Sequence, residues 1–428
     1  MSCVPTSAPG HGSRPVLLKG LAPMMNRQPP GADTEPVDQR IPFRHPEVDL
    51  LRLYGSHSLA FFGLAEEFEQ FLAPGEQGLI AYRVVNRVAV ALGDPLCAPQ
   101  AVEAVTRSFL AFCRARGLRV AFYQASPDYL ALYRVLNLHA FKMGEEAMLF
   151  PQTFSLQGPA LAKVRTRCRH AQREGVQIQW YEGVVPAAVM QQLVSISDAW
   201  LESKGGRQAE ETGFSTGKCS EIQTHARRAD RLIGLLIPSH GALPALPLVT
   251  GVALTRSGQA CAFVTFTPIY GVATGEEGTG QRWGWALDLM RRTADAPSGA
   301  MDLLLVQALE RFRARGAHRA SLALVALADT RQEMAQPWRS LVDLVARHLA
   351  LFEQRQTLLR FKQKFAPCWE SRYLVVDSRL ALPKVALAVL RLRHYSGTGF
   401  VRLLTRSIAR PRWLPVEQQG EKMPHERM

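Results

Sequence analysis

The sequence predicts an α+β protein in which strands and helices are interleaved, and three observations predict it. A valine-rich run from Val84 to Leu92 closes on Gly93-Asp94-Pro95, a combination that ends strands in a tight turn. Apolar residues then recur at helical spacing at Val102, Val105, Phe109 and Phe112 and stop at Gly117, after which Leu118 to Gln124 is a short apolar strand. Farther along, Leu248 to Leu254 and Gln259 to Thr267 flank Arg256-Ser257-Gly258 as the two arms of a β-hairpin.

Taken in order, the chain starts with a stretch, residues 1–40, rich in Pro, Gly and Ser. Its short apolar patch around Val16 to Leu21 lacks the continuous apolar core of a signal peptide, so it reads as a disordered tail. Residues 41–156 form a first unit whose helix-between-strands order resembles half of an acyltransferase fold of the N-acetyltransferase type. Residues 157–381 form a second unit. It opens with a basic helix from Lys163 to Gly175 and continues with the hairpin. A loop from Pro268 to Gly284 leads to a helix at about Ala286 to Thr293. Another helix, Leu303 to Arg315, carries Leu304, Ala308 and Phe312 inward and ends at Gly316, and His318 to Leu324 follows as a strand. Residues 382–428 are a basic amphipathic C-terminal segment.

With 428 residues, two domains sharing an interface are expected, and 47% hydrophobic residues suffice for sizeable cores. The formal charge of +14 implies an anionic partner, whether nucleic acid, anionic lipid or polyanionic substrate, because a positive field raises encounter rates with each. Seven cysteines without a CxxC pair speak against a disulfide framework and against a zinc site, so no metal is expected, and a reducing cytosol fits. The longest stretch free of Lys, Arg, Asp and Glu, Leu232 to Thr255, is interrupted by Pro238, Gly241, Pro244 and Pro247 and reads as strand, loop, strand rather than a membrane span.

Near the C-terminal end stands Leu358-Leu-Arg-Phe-Lys-Gln-Lys-Phe365, then Pro367, Trp369-Glu370 and Arg372-Tyr373. Ahead of it come Ala81 to Pro95 with its Gly-Asp-Pro turn, Gly144-Glu-Glu-Ala-Met148, Ser197-Asp198-Ala-Trp200-Leu201 with Lys204, Gly213-Phe214-Ser215, Asp288-Leu-Met-Arg291 and Met301-Asp302. In this order, over roughly residues 50 to 390, the set resembles the soluble aminoacyltransferase domain of the phosphatidylglycerol lysyl- and alanyltransferases, the multiple peptide resistance factors. The resemblance implies tandem N-acetyltransferase-like (GNAT-type) domains with mixed β-sheets flanked by helices, and a strand, hairpin and Gly-Asp-Pro turn over Ala81 to Pro95. It implies transfer of an amino acid, lysine or alanine, from aminoacyl-tRNA to a hydroxyl of phosphatidylglycerol or a related lipid, with no cofactor beyond the aminoacyl-tRNA co-substrate. Full-length members carry a membrane-embedded flippase region before this domain, so the chain is expected to act as a stand-alone module, cytoplasmic and peripherally bound to the inner face of the membrane.

On the predicted helix Asp288 and Arg291 would share a face. The resemblance assigns Asp288 to the α-amine of the aminoacyl group and Arg291 to a phosphate or the reacting ester, and it brings Lys362 and Lys364 near the substrate. Arg360, Lys362 and Lys364 alternate with Phe361 and Phe365, a pattern that can grip a backbone with cations while rings stack, or form an edge strand with one wet face. Asp198 and Trp200 are candidates to line the same cleft, and the Glu276-Glu277 pair in the preceding loop could meet a cationic amino-acid side chain. Three departures from the family pattern stand out: Ala286 in place of Ser or Thr, Ala323 in place of Gly, and Thr357 before Leu358 where Gly is usual.

Lys163, Arg165, Arg167, Arg169, His170 and Arg173 fall within a short helical window in which Arg165, Arg169 and Arg173 step by four along one face, a stripe that could follow the phosphates of a tRNA acceptor arm or be a solvated basic face. Leu382 to Arg412 mixes apolar runs with Arg391, Arg393, Arg402 and Arg406 and reads as an interfacial helix for an anionic membrane, with simple domain packing as the alternative. Two other readings remain. Gln281-Arg-Trp-Gly284-Trp-Ala286 fits the loop that cradles an acyl-CoA pyrophosphate in N-acyltransferases, and a non-catalytic RNA- or membrane-binding module could use the same fold.

Overall fold

The computed structural model describes residues 45–205, 211, 213–235, 244–271, 283–326 and 351–393. Nine helices flank one mixed sheet among these residues. The strands are β1 (Glu69–Leu72), β2 (Gly78–Val85), β3 (Val88–Leu92), β4 (Leu96–Cys97), β5 (Arg119–Ala125), β6 (His139–Leu149), β7 (Gln177–Glu182), β8 (Val249–Leu254), β9 (Ala260–Ile269), β10 (Gly284–Arg292), β11 (Arg319–Ala326) and β12 (Cys368–Val376). The helices are α1 (Pro46–Tyr54), α2 (Val102–Ala115), α3 (Leu130–Val135), α4 (Ala162–Arg173), α5 (Ala187–Gly205), α6 (Ile222–Gly234), α7 (Ala300–Ala314), α8 (Leu351–Gln363) and α9 (Leu382–Arg393).

The sheet runs β1-β2-β3-β5-β12-β6-β11-β10-β9-β8-β7, with β4 on β2. Two of its pairings are parallel. β3 pairs with β5 across α2, and β10 pairs with β11 across α7, because parallel neighbours need a long crossover and each helix supplies one. Hairpin, helix and parallel strand therefore occur twice in order, which is the tandem acetyltransferase-like arrangement. The two copies interlock at the centre: β12, the last strand in the chain, lies between β5 and β6, and β6 lies between β12 and β11. The sheet is thus continuous across the boundary expected near residue 156.

Local sequence explains most of these elements. Helix α2 buries Val102, Val105, Phe109 and Cys113 along one face and stops at Gly117, whose φ of +62° suits a residue without Cβ. Phe109, Phe122, Tyr82 and Tyr133 form the core on that side, in edge and tilted ring contacts 5.2 to 6.0 Å apart. In the second half Trp285 stacks on Phe312 of α7 at 4.6 Å, and Phe266 meets the same ring at 5.0 Å. The hairpin across Ser257-Gly258 forms as β8 and β9, with Gly258 at φ +81°.

The hairpin that the resemblance implies within Ala81 to Pro95 is present: Asn86 and Arg87 both take positive φ, +53° and +59°, and make the two-residue turn of the β2–β3 hairpin. Two expectations are corrected. Residues 286–293 are not helical. They belong to β10, where Leu287 pairs with Phe266 and Met290 with Val264, so Asp288 and Leu289 together oppose Thr265 in a β-bulge. The bulge spaces Leu287 and Met290 three apart on one face, which imitates a helical stripe in the sequence. The alternating run 360–365 is neither a strand nor a sheet edge. It ends α8, where Phe361 and Phe365 meet one turn apart at 5.7 Å.

Candidate active site

β9, β10 and β11 meet the segment 213–217, residues 58–62 and the end of β5 around a small cleft of about 80 Å³. Ser58, Leu59, Phe62, Tyr123, Ser215, Thr216, Thr267, Ala286, Asp288, Ala323, Leu324 and Arg393 are among its lining residues.

The bulge sets the central geometry. Side chains alternate faces along a strand, so residues three apart ordinarily point oppositely. One residue absorbed at 288–289 restores the parity, and Ala286, Asp288 and Arg291 project to the face of their partners Thr267, Thr265 and Phe263. Thr265 holds the bulge: Leu289 N–H donates to its Oγ1 at 3.0 Å, and that hydroxyl contacts Asp288 Oδ2 at 3.4 Å. The other carboxylate oxygen, Oδ1, accepts Gly217 N–H at 2.7 Å. Burial pushes the Asp288 carboxyl up to about 6, against the lowering effect of these two donors. Gly217 leaves no room for a side chain, since a Cβ there would lie 2.7 Å from Asp288 Oδ2 and 2.8 Å from His225 Cε1.

Arg291 is 5% exposed and fully engaged. Its guanidinium bonds Ser197 Oγ on α5, pairs with Glu211, and lies 5.2 Å from the Trp200 ring. Glu211 Oε1 also accepts Cys219 N–H at 2.9 Å. Arg291 thus fastens the 211–219 segment that presents Gly217 to Asp288, and Trp200 belongs to this fastening. Asp198, one residue beyond Ser197, is exposed and does not line the cleft.

The cations of the aromatic run separate. Lys362 is 2% exposed and donates from Nζ to the carbonyls of Ala323 at 2.8 Å and Leu324 at 3.3 Å, behind two cleft-lining residues. Burial drives its ammonium down to about 7, with Glu146 opposing. Ala323 holds φ +65° at an irregularity in β11, which is why glycine suits this position. Lys364 bonds the buried Asp302 at the start of α7 and covers the Phe361 ring at 4.3 Å. Arg360 is exposed. Glu276 and Glu277 lie outside the described residues.

Deeper in the sheet, Glu146 of β6 receives Arg372 of β12 at 2.7 Å and the hydroxyl of Ser321 of β11. Burial would raise this carboxyl, but Arg372, Ser321 and Ser58 hold it at about 2. Neither this pair nor Gly217, Thr265 and Glu211 was singled out as site residues from the sequence. The signal for Gly217 was its place two residues after Gly213-Phe214-Ser215, where Phe214 stacks on Phe68 at 5.7 Å. Glu211 carried no sequence signal.

The basic helix is divided. Arg165 bonds the carbonyls of Leu156 and Gly158, and Arg167 bonds Asp302 at 3.2 Å, while Lys163, Arg169, His170 and Arg173 are exposed. The C-terminal segment is corrected as far as Arg393: α9 turns Leu382, Val385, Ala388 and Leu392 into the core rather than outward, and residues 394–412 lie outside the described residues. The pyrophosphate-loop reading also fails. Gly284 to Ala286 pair with β9 on one side and β11 on the other, so this stretch is ladder, not a loop opening a helix, and Gln281 and Arg282 lie outside the described residues. Among the described residues no helix is long and apolar enough to cross a membrane.

The sequence profile described as "Phosphatidylglycerol lysyltransferase, C-terminal" matches residues 48–376. The "Lysylphosphatidylglycerol biosynthesis bifunctional protein LysX" of Mycobacterium ulcerans (strain Agy99) is 28% identical over 346 residues, covering 79% of this chain and 28% of its own. The LysX of Mycobacterium marinum (strain ATCC BAA-535 / M) matches to the same extent. The chain therefore spans about a quarter of these relatives' length. The structure of L-PGS from Bacillus licheniformis superposes with a TM-score of 0.62 at 23% identity, over 82% of this chain and 97% of that one. Fold and profile agree over most of the sequence, and the chain belongs to the phosphatidylglycerol lysyltransferase C-terminal family.

Proposed function

We propose that the chain transfers an amino acid, lysine or alanine, from aminoacyl-tRNA to a hydroxyl of phosphatidylglycerol. The observation that carries the reading is Asp288: a carboxylate lining the cleft, with Oδ1 committed to Gly217 and Oδ2 held, among the described residues, by a long contact to Thr265. Above its pKa it offers a negative charge and open lone pairs to an α-ammonium.

The donor ester is already activated by its ribose leaving group, so alignment and charge placement supply most of what catalysis needs. The acceptor oxygen bonds to the ester carbonyl carbon, the carbon–oxygen bond to the ribose breaks, and the proton lost by the acceptor hydroxyl ends on the ribose oxygen. Asp288 holds the amine. Arg291 acts as a positioning residue through Glu211 and the 213–219 segment, and Lys362 supports the carbonyls of Ala323 and Leu324 at the cleft wall. The exposed cations Lys163, Arg169 and Arg173 offer phosphate contacts to the tRNA, and the lipid acceptor calls for peripheral association with the inner membrane face. Feeding labelled lysine or alanine to cells expressing the protein and separating their lipids tests this: a new labelled, ninhydrin-positive lipid is expected, and an unchanged lipid profile with every amino acid contradicts it.

A further inference from the structure

The cleft contains a second charge. Arg393, the last residue of α9, lines it together with Asp288. Gly213 N–H bonds the Arg393 carbonyl at 3.0 Å and fixes the residue's backbone at the rim, while its Nε is buried without a hydrogen-bond partner among the described residues. A buried guanidinium nitrogen left unpaired is costly, and an arginine fork matches the oxygens of a phosphate better than any other side chain. Among the described lining residues, Asp288 is the acidic side chain and Arg393 the basic one, with the hydroxyls of Ser58, Ser215 and Thr267 also in the lining.

We propose that Arg393 binds the phosphodiester of the acceptor phospholipid's headgroup, so that an ammonium on Asp288 and a phosphate on Arg393 set the distance over which the headgroup hydroxyl meets the ester. This rests on the transfer reading for its purpose but not for its chemistry. A lipid phosphate is favoured over an RNA phosphate by the surroundings of α9. The helix follows Leu380, which is 87% exposed and flanked by the exposed Arg379 and Lys384, an apolar side chain among cations of the kind that meets an anionic lipid surface. The exposed cations of α4 do not line the cleft.

The test uses the whole chain and two soluble lipids, dihexanoyl-phosphatidylglycerol and dihexanoylglycerol, which share acyl chains and differ in the glycerophosphate headgroup, with the Arg393 variants assigning the difference to the phosphate. Wild type should bind the phosphodiester at least about tenfold better, the range of a charge-assisted contact. Arg393→Gln should lose that preference, and Arg393→Lys, which keeps charge without the fork, should retain part of it. In turnover, Arg393→Gln should raise the KM for phosphatidylglycerol vesicles and leave the KM for charged tRNA unchanged. The proposal is overturned if wild type shows no preference, if Arg393→Gln keeps it, or if the KM rise falls on the tRNA, which would assign the guanidinium to RNA. Lipid binding without transfer would sink the transfer reading and leave the phosphate site standing.

Discussion

Asp288 and Arg291 project from one face of β10 although they lie three residues apart, because the bulge opposite Thr265 absorbs the odd residue. They then diverge in role: Asp288 faces the cleft, and Arg291 turns to Ser197, Glu211 and Trp200.

Asp288→Asn should abolish most transfer while the protein stays folded, since the amide oxygen can still accept Gly217 N–H. The pH dependence follows from the raised carboxyl. The folded state holds the proton up to about 6 and the unfolded chain only to about 3.8, so folding loses stability as pH rises through that window and the loss is complete above it. At pH 8 the asparagine variant should be at least as thermostable as wild type, and its stability between pH 4 and 7 should be flatter. Transfer by wild type should rise from pH 5 to 7 as the carboxylate ionises. A variant that is both inactive and less stable at pH 8 would show a structural rather than a substrate-binding role.

Gly217→Ala tests the same carboxylate from the other side. Its Cβ would press on Asp288 Oδ2 and His225, so kcat/KM should fall by at least about tenfold, the cost of displacing one charge-assisted contact. Wild-type kinetics would show that Gly217 does not set the carboxylate's position.

Lys362 carries a pH signature of opposite sign. Its ammonium is held near 7 in the folded protein and at about 10.5 when unfolded. Below 7 both states are protonated and the burial cost is fully present. Between 7 and 10.5 the folded state binds fewer protons, so stability rises with pH. Urea unfolding at pH 7 and pH 9 should show a larger gain for wild type than for Lys362→Met. Equal gains would contradict a buried, proton-shedding lysine.

Ala323→Gly should stabilise the protein by about 1 kcal/mol, because a left-handed φ is strained for alanine and free for glycine. A lower melting temperature in the variant would mean that the methyl packs better than the strain costs.

Reversing Lys163, Arg169 and Arg173 to Glu should weaken tRNA association and flatten its salt dependence, since fewer counterions are released. Arg165→Ala and Arg167→Ala should instead lower stability, as their side chains bond Leu156, Gly158 and Asp302. Unchanged affinity and salt slope in the triple variant would remove α4 from the RNA surface.

Much of the fold was legible because α2, α7 and the β8–β9 hairpin each carry both a periodicity and a stop signal. The two segments nearest the site misled for opposite reasons. In β10 the bulge converted a period of two into a spacing of three, so Leu287, Met290, Asp288 and Arg291 read as helix. At the C-terminal end of α8 an accident of alternating charge and ring hid an i, i+4 pair, Phe361 with Phe365 just beyond the helix. Asp288 was found through resemblance to a family motif, and Ala323 through a departure from that motif whose cause is backbone conformation. Glu211 carries no local pattern, and Gly217, Glu146 and Arg372 stand in or beside quoted motifs that do not show their partners, because those contacts span long sequence separations, 226 positions for Glu146 and Arg372.

The most direct measurement is transfer by the purified chain: tRNA charged with labelled lysine or alanine, vesicles of phosphatidylglycerol, and label counted in the extracted lipid. Label should appear with one or both donors, require phosphatidylglycerol, and vanish with Asp288→Asn. Absence of labelled lipid with every charged tRNA, from protein shown to be folded and to bind the vesicles, would contradict the proposed reaction.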